Sequence, residues 1–335
     1  MKSGQINNQA SQEISGFYKV VRVEPKFSFG GEPYEEFTLQ QWDQTLKVSN
    51  YEKSCIEADC LKLDAIVFVR GQLYTSKHHN DLQPAVIAPV YNDLDVPIRS
   101  LPVSNPYSCP DVYAVNEMFN MIDSLGFKPF QTAVSQIFMQ DDLMERFIHF
   151  PASQMNHHSE KGGLVRHSVA VANLVRCMIE QNDTMMPGAM KETAMVAGLL
   201  HDIGKTQTYT ETGYDEQKSR LIYHDDLTLE LCSPGLKYLD KECPEVADTL
   251  RHIWTATCYG SKYGNESKTV LVEYVKYADR LNSASDFQAS ISRNYQMKGM
   301  AKLPNGSMLW VPISREDDFQ SKDFNENFTV EADYV

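Results

Sequence analysis

The spacing of hydrophobic and polar residues changes near residue 111. Upstream, apolar and aromatic residues alternate with polar ones in short runs: Phe17 to Val23, Tyr34 to Leu39, Leu46 to Val48, Ala65 to Tyr74 and Pro84 to Val90. A period of two, rich in branched and aromatic residues, predicts strands. Phe29-Gly30-Gly31-Glu32-Pro33 supplies a turn between the first two. Downstream the period lengthens to that of a helix. Val112 to Leu125 and Pro129 to Phe147 are two predicted helices, followed by others near 163–181, 189–203, 226–240, 244–257 and 268–289.

The five short strands predict a small closed barrel, and their order, ending in a V-x-V-R-G-Q-L strand and a hairpin, resembles an OB-fold. Between the two regions, Pro97, Pro102, Pro106 and Pro110 stand among Ser and Asn, a linker composition. The expected fold class is therefore α+β in two domains. A disordered tail is expected over 1–15, a barrel over 16–92, a linker over 93–110 and an all-α domain over 111–292. A C-terminal extension, 293–335, contains Met308 to Ile313 as a strand or docking segment and ends in an acidic tail.

Composition narrows the function classes. No apolar run approaches the roughly 20 residues that span a bilayer, and residues 1–15 lack the apolar core of a signal peptide. Seven cysteines without framework spacing fit a reducing compartment, so a cytoplasmic, non-membrane protein is expected, with a homo-oligomer allowed for. The net charge of −14 lacks the basic footprint of a protein that mainly grips nucleic acid. That acidity is uneven: residues 1–92 hold nine Lys/Arg against eleven Asp/Glu, whereas 315–335 hold two against seven. The barrel region is thus nearly neutral and offers Phe27, Phe29, Tyr34, Trp42 and Tyr74 as surfaces on which bases of a single strand could stack. Cys55 and Cys60 form a lone pair without zinc-site spacing, and His78-His79 sits in a polar hairpin tip.

The candidate chemistry centres on Ala197-Gly198-Leu199-Leu200-His201-Asp202-Ile203-Gly204-Lys205, where an apolar run delivers a His-Asp pair and a glycine is read as the helix stop. Imidazole with carboxylate suits a divalent transition metal or a Mn/Mg-type ion. On a helical period His167 shares a face with Leu164, Val171, Leu174 and Met178, and Asp279 shares one with Val272, Val275 and Asn282. Both polar groups therefore point where apolar side chains point, and a buried carboxylate needs a strong partner. His157, His158, His224 and His252 are further candidates by position.

The pattern of His167, His201-Asp202 and Asp279 resembles the HD-domain superfamily of metal-dependent phosphohydrolases, over roughly Pro151 to Ser285. "PASQMNHHSEKGGLVRHSVAVANLV" and "AGLLHDIGK" are similar to stretches of two subfamilies, the OB–HD 3′-to-5′ exoribonucleases of the YhaM type and the relaxase-like HD domain of conjugative elements. The domain order resembles the first; "YADRLNSAS" and "LPNGSMLWVPIS" resemble the second. The resemblance implies a divalent cofactor (Mn, Fe or Mg) held by His167, His201, Asp202 and Asp279, with His224 and His252 toward a second ion. "LRHIWTATCYG" keeps His252 but has Thr257-Cys258-Tyr259 where the exoribonucleases carry a His-His pair, which removes part of that second ligand set. Asp202 and Lys205 are the expected catalytic residues, and His157, His158 and Arg280 the expected substrate-binding ones. The implied activity is 3′-to-5′ exonucleolytic cleavage of single-stranded RNA or DNA. The alternatives are a small-nucleotide phosphohydrolase or a relaxase-like DNA-processing protein of a mobile element.

Overall fold

A computed structural model describes residues 10–41, 44–49, 61–63, 65–75, 80–90, 98–101, 109–140, 142–154, 158–210, 213–260, 262, 264–292, 296–302 and 308–314. Its N-terminal layer is built from β1 (Ala10–Phe27), β2 (Pro33–Gln41), β3 (Gln44–Ser49), β4 (Ile66–Thr75) and β5 (Asn80–Pro89). The long β1 pairs antiparallel with β2 along its second half and with β4 along its first, so it serves both arms of the sheet. β2 continues to β3 and β4 to β5, both antiparallel, giving the order β1-β2-β3-β5-β4. Among the described residues, the ladder between the outer members β3 and β5 is the parallel pair Lys47–Asp81. The rolled sheet is thus joined by four antiparallel ladders and one minimal seam.

Alternation along these strands sends Tyr18, Val20, Phe37, Leu39, Leu46, Val48, Val67, Val69 and Ile87 inward. Phe27 and Phe29, at the β1–β2 turn, are left almost fully exposed, while Tyr34 and Tyr74 are half-buried. Trp42, the Cys55–Cys60 pair and His78-His79 lie outside the described residues.

The helical region contains α1 (Val112–Asp123), α2 (Lys128–Phe138), α3 (Leu143–His149), α4 (Gly163–Asn182) and α5 (Gly188–Leu200). A 3₁₀ turn (Ile203–Gln207) follows, then α6 (Glu216–Leu221), α7 (His224–Glu242), α8 (Pro244–Thr255) and α9 (Val270–Ile291). Asp111 caps α1 by accepting the Ala114 N–H. The single helix expected over 129–147 is two. The Gln140 amide donates to the carbonyls of Ile137 and Leu231, closing α2 and tying its end to α7 before α3 begins. The described residues also form three two-stranded pieces beyond the helical pattern: β6 (Tyr209–Thr210) with β7 (Gly213–Tyr214), β8 (Ala256–Thr257) with β9 (Asn265–Glu266), and β10 (Gly299–Lys302) with β11 (Met308–Val311). The last of these contains the strand expected from Met308.

One apolar cluster runs through the helical region from Ile98 to Ala278, and Phe17, Ile66 and Val90 of the strand layer pack against it. Among the described residues, no helix is long and apolar enough to cross a membrane.

Candidate metal centre and cleft

His167 lies on α4, wholly buried, on the face that packs against α5 and α9. The second half of α5 is buried from Thr193 to Leu200, and the Trp254 indole N–H fixes it by donating to the Ala197 carbonyl. The helix ends at Leu200, ahead of the His-Asp pair, not at Gly204 as the sequence suggested. What ends it is one local bond and two to a distant threonine on α7. His201 Nδ1–H donates to the Gly198 carbonyl at 2.7 Å, the Thr228 hydroxyl donates to the His201 carbonyl at 3.0 Å, and the Gly204 N–H donates to that hydroxyl oxygen at 3.1 Å. Gly204 is needed for another reason: an added Cβ would stand 2.1 Å from the His224 carbonyl, so the residue lets α7 dock on the 3₁₀ turn.

These elements bring four donor groups together. His167 Nε2 is 3.2 Å from His201 Nε2, 3.4 Å from Asp202 Oδ2 and 3.2 Å from Asp279 Oδ1. His201 Nε2 is 3.4 Å from Asp202 Oδ2 and 3.7 Å from Asp279 Oδ1. Ligand bonds of about 2.1 Å place neighbouring donor atoms about 3.0 Å apart at right angles and about 3.4 Å apart in a tetrahedron. Four of the five observed separations fall in that range, and the fifth, His201 to Asp279 at 3.7 Å, lies slightly beyond it. The tautomers agree: the Gly198 carbonyl and the Asn282 Oδ1, 2.7 Å from His167 Nδ1, both accept, so each Nδ1 carries its proton and each Nε2 turns a lone pair inward. Two lone pairs and two carboxylates converging in a buried space call for a cation. His167, His201 and Asp202 form the group among the described residues whose ligand atoms all lie within 4.8 Å of one another. Asp279, one-third exposed, adds a second carboxylate on the open side.

Without a metal ion, protons take its place. Burial pulls the His201 pKa down, but the charges and hydrogen bonds of Asp202 and Asp279 outweigh it and push the value up to about 10. His167 is raised as well, against its burial, by the same two carboxylates. Burial works against ionisation of Asp202, yet His201, Lys205 and His167 hold it well below the usual carboxylate range; Asp279 is lowered likewise by the two imidazoles.

Around this cluster the expected residues separate. Lys205 Nζ, on the 3₁₀ turn, donates to Asp202 Oδ2 at 2.6 Å. His224 Nε2, at the start of α7, is 3.3 Å from Asp202 Oδ1 and 3.4 Å from Asp225 Oδ1. Both residues line a cleft of about 290 Å³ whose other walls include Gln154, Thr208, Tyr209, Tyr214, Ser219 and Tyr223. Tyr209 and Tyr214 come from the β6–β7 hairpin with ring centroids 5.0 Å apart, and burial raises the Tyr209 phenol to about 12.

Three expectations do not place their residues in the cleft. His252 is occupied elsewhere: its Nε2 accepts the Lys268 N–H at 2.9 Å, and Nδ1 faces Asn265 at 3.4 Å, so it fastens α8 to the segment before α9. Arg280 is exposed, stacked 4.5 Å over Tyr277 with Nη2 3.8 Å from Cys258 Sγ, away from the cleft lining. His158 is 5% exposed and turned to α9, with Nε2 2.8 Å from Asn282 Oδ1, so it contacts the interior and not a substrate surface. His157 lies outside the described residues.

The sequence pattern does not single out Thr228 or the three cleft tyrosines, and it places Asn282 on the Asp279 face without giving it a role.

Residues 164–284 match the family model of the HD domain, a helical domain whose members are in general metal-dependent hydrolases. The matched span begins with α4 and ends within α9, so all four converging donors lie inside it. The chain matches no curated protein and no solved structure.

Proposed function

We propose that the protein is a metal-dependent phosphodiesterase whose cleft accepts one terminal nucleotide of a single strand, cleaving from the 3′ end. The observation that carries this reading is the convergence of His167 Nε2, His201 Nε2, Asp202 Oδ2 and Asp279 Oδ1 beside a cleft that holds Lys205. A divalent ion held there would activate water and polarise a phosphoryl oxygen; mixed N/O donors without thiolates favour Mn, Fe or Mg over structural Zn. The chain's own residues do the rest. Lys205 places a positive charge where phosphoryl oxygens gather negative charge. His224, which lines the cleft 3.3 Å from Asp202 Oδ1, can orient the phosphate or move a proton to the leaving oxygen. Tyr214 and Tyr223, both exposed, offer ring faces along the cleft.

Strand guidance by the N-terminal layer is supported by its near-neutral charge and by the exposed rings of Phe27 and Phe29. In this reading the layer acts as an OB-like barrel.

A second reading, hydrolysis of a free small nucleotide, is favoured by the cleft volume of about 290 Å³, just under the roughly 300–1,000 Å³ of small-molecule sites.

The test has two parts. Metal analysis of the purified chain and of His201→Ala/Asp202→Ala should show a divalent ion in the first and its loss in the second. A 3′-labelled single strand should be shortened stepwise by the wild type and left intact by the double variant. Undiminished metal in the double variant would overturn the site. Turnover of mononucleotides without strand shortening would select the second reading.

A further inference from the structure

Asp279, Asn282 and Asp286 follow one another at three and four residues along α9, which puts them on one stripe of the helix. The first is a converging donor at the metal centre. The other two grip the segment that precedes α4. Asn282 Oδ1 faces two imidazole nitrogens, His167 Nδ1 at 2.7 Å and His158 Nε2 at 2.8 Å. Asp286 Oδ2 accepts the His158 backbone N–H at 2.8 Å, and Oδ1 stands 3.7 Å from His158 Nδ1. His158 has φ +45°, a left-handed conformation that a histidine adopts only when its surroundings hold it there. Its carbonyl accepts the Ala152 N–H at 2.9 Å and presses on Gly163, where an added Cβ would lie 2.0 Å away. Ala152 begins the stretch Ala152-Ser153-Gln154 that walls the cleft.

The chemistry of the amide decides what this node does. An amide oxygen accepts two hydrogen bonds and donates none. With Oδ1 toward both rings, His167 must be protonated at Nδ1, and its Nε2 lone pair is turned to the other donors. With the amide reversed, the NH₂ would need a lone pair on Nδ1, and the proton would move to Nε2, where it would point at the His201 ring. Only the first arrangement leaves His167 able to ligate.

We infer that Asn282 is a positioning residue that fixes His167 in its ligating tautomer and orientation and, through His158, seats the Ala152–Gln154 wall of the cleft. The inference rests on the metal-centre reading above for its first part, and on the cleft wall alone for its second. His158 is accordingly a strut between α9 and the cleft wall.

The test uses the full chain, Co²⁺ as probe, and two readouts that do not depend on turnover: the visible spectrum of bound cobalt and hydrogen exchange over 150–154 in the metal-free protein. Asn282→Leu should weaken Co²⁺ binding by about 10–100-fold, change the visible band, and speed exchange at the Ala152 amide. Asn282→Asp, which keeps an accepting oxygen, should restore cobalt affinity and slow exchange. His158→Ala should speed exchange with a much smaller effect on cobalt. Asn282→Ala is read alongside in case the leucine variant does not fold. Wild-type affinity and an unchanged band in Asn282→Leu and Asn282→Ala would overturn the tautomer role, and unchanged exchange in His158→Ala would overturn the strut. Absence of cobalt binding by the wild type would overturn the metal centre itself, and is told apart because every variant would then share it.

Discussion

The Cα of Gly204 faces the His224 carbonyl so closely that a methyl group at 204 would sit 2.1 Å from that oxygen and 2.7 Å from the Thr228 nitrogen. Both neighbours are backbone atoms of α7, so neither can swing aside as a side chain would. Gly204→Ala is therefore expected to push the first turn of α7 outward, at a cost of roughly 1–3 kcal/mol for an overpacked contact. His224, 3.3 Å from Asp202, would move with it. The expected outcome is a lower melting temperature together with an activity loss matching that of His224→Ala. Full activity in a destabilised Gly204→Ala protein would show that the position of His224 is irrelevant to the chemistry.

Thr228 ties the same joint from the other side. Its hydroxyl is fully buried, donates to the His201 carbonyl and accepts the Gly204 N–H. Thr228→Val keeps the shape and leaves both partners unmet, which costs roughly 1–3 kcal/mol per buried group. Denaturant unfolding should show a loss of that size, whereas Thr249→Val, at a half-buried helical threonine whose hydroxyl donates to the Glu245 carbonyl of its own helix, should change less.

Lys205 separates holding a metal from using it. Its ammonium touches Asp202 Oδ2 and lines the cleft, but it is not a donor to the cation. Lys205→Met should lower turnover by about 10²–10³, the usual cost of one charge-stabilising group, while bound metal measured on the purified variant stays at the wild-type level. A parallel fall in metal content would assign the lysine a structural part instead.

Phe27 and Phe29 test the strand-guiding role without removing any segment. Each is exposed at the β1–β2 turn, so truncating them costs the fold little. If bases stack there, Phe27→Ala/Phe29→Ala should weaken single-strand binding by roughly 1–3 kcal/mol per lost stack. Hydrolysis of a small chromogenic phosphodiester should be unchanged. Equal losses on both substrates would remove the layer from substrate handling.

The converging donors were legible in sequence because two of them, His167 and Asp279, broke an otherwise apolar helical stripe, and polar residues on a buried face demand partners. The strands were legible for the related reason that alternation is a short-range signal. What stayed hidden was set by contacts between distant residues. The end of α5 depends on Thr228 in a later helix, and a glycine after an apolar run looks like a helix stop whether or not it is one. His158 next to His157 suggested a substrate pair, but its hydrogen bonds come from residues more than a hundred positions away, at Asn282 and Asp286. His252 resembled a ligand by position alone, and the Lys268 N–H that occupies it belongs to a loop with no pattern of its own.

The protonation of the donor cluster leads to a pH dependence with a definite sign. His201 has an ordinary value of 6.5 and is held at about 10 in the folded chain, burial being outweighed by Asp202 and Asp279. A group raised on folding contributes stability that is fully present below its unfolded value and is lost as pH rises through its folded one. His167 adds to the same trend, since it too is raised. Asp202 and Asp279 are lowered from 3.8, so their share is present above that pH and is lost only on strong acidification. The metal-free protein should then be most stable between pH 3.8 and 6.5 and lose stability steadily toward pH 10. A divalent ion competes with those imidazole protons, so its binding should tighten as pH rises and should release protons. Thermal melts in chelator at about pH 6 and about pH 9 should differ clearly, and excess Mn²⁺ should abolish most of the difference by stabilising the alkaline sample more. A metal-free melting temperature that is flat across this range, or Mn²⁺ stabilisation that shrinks as pH rises, would contradict the assignment of His167 and His201 to the cation.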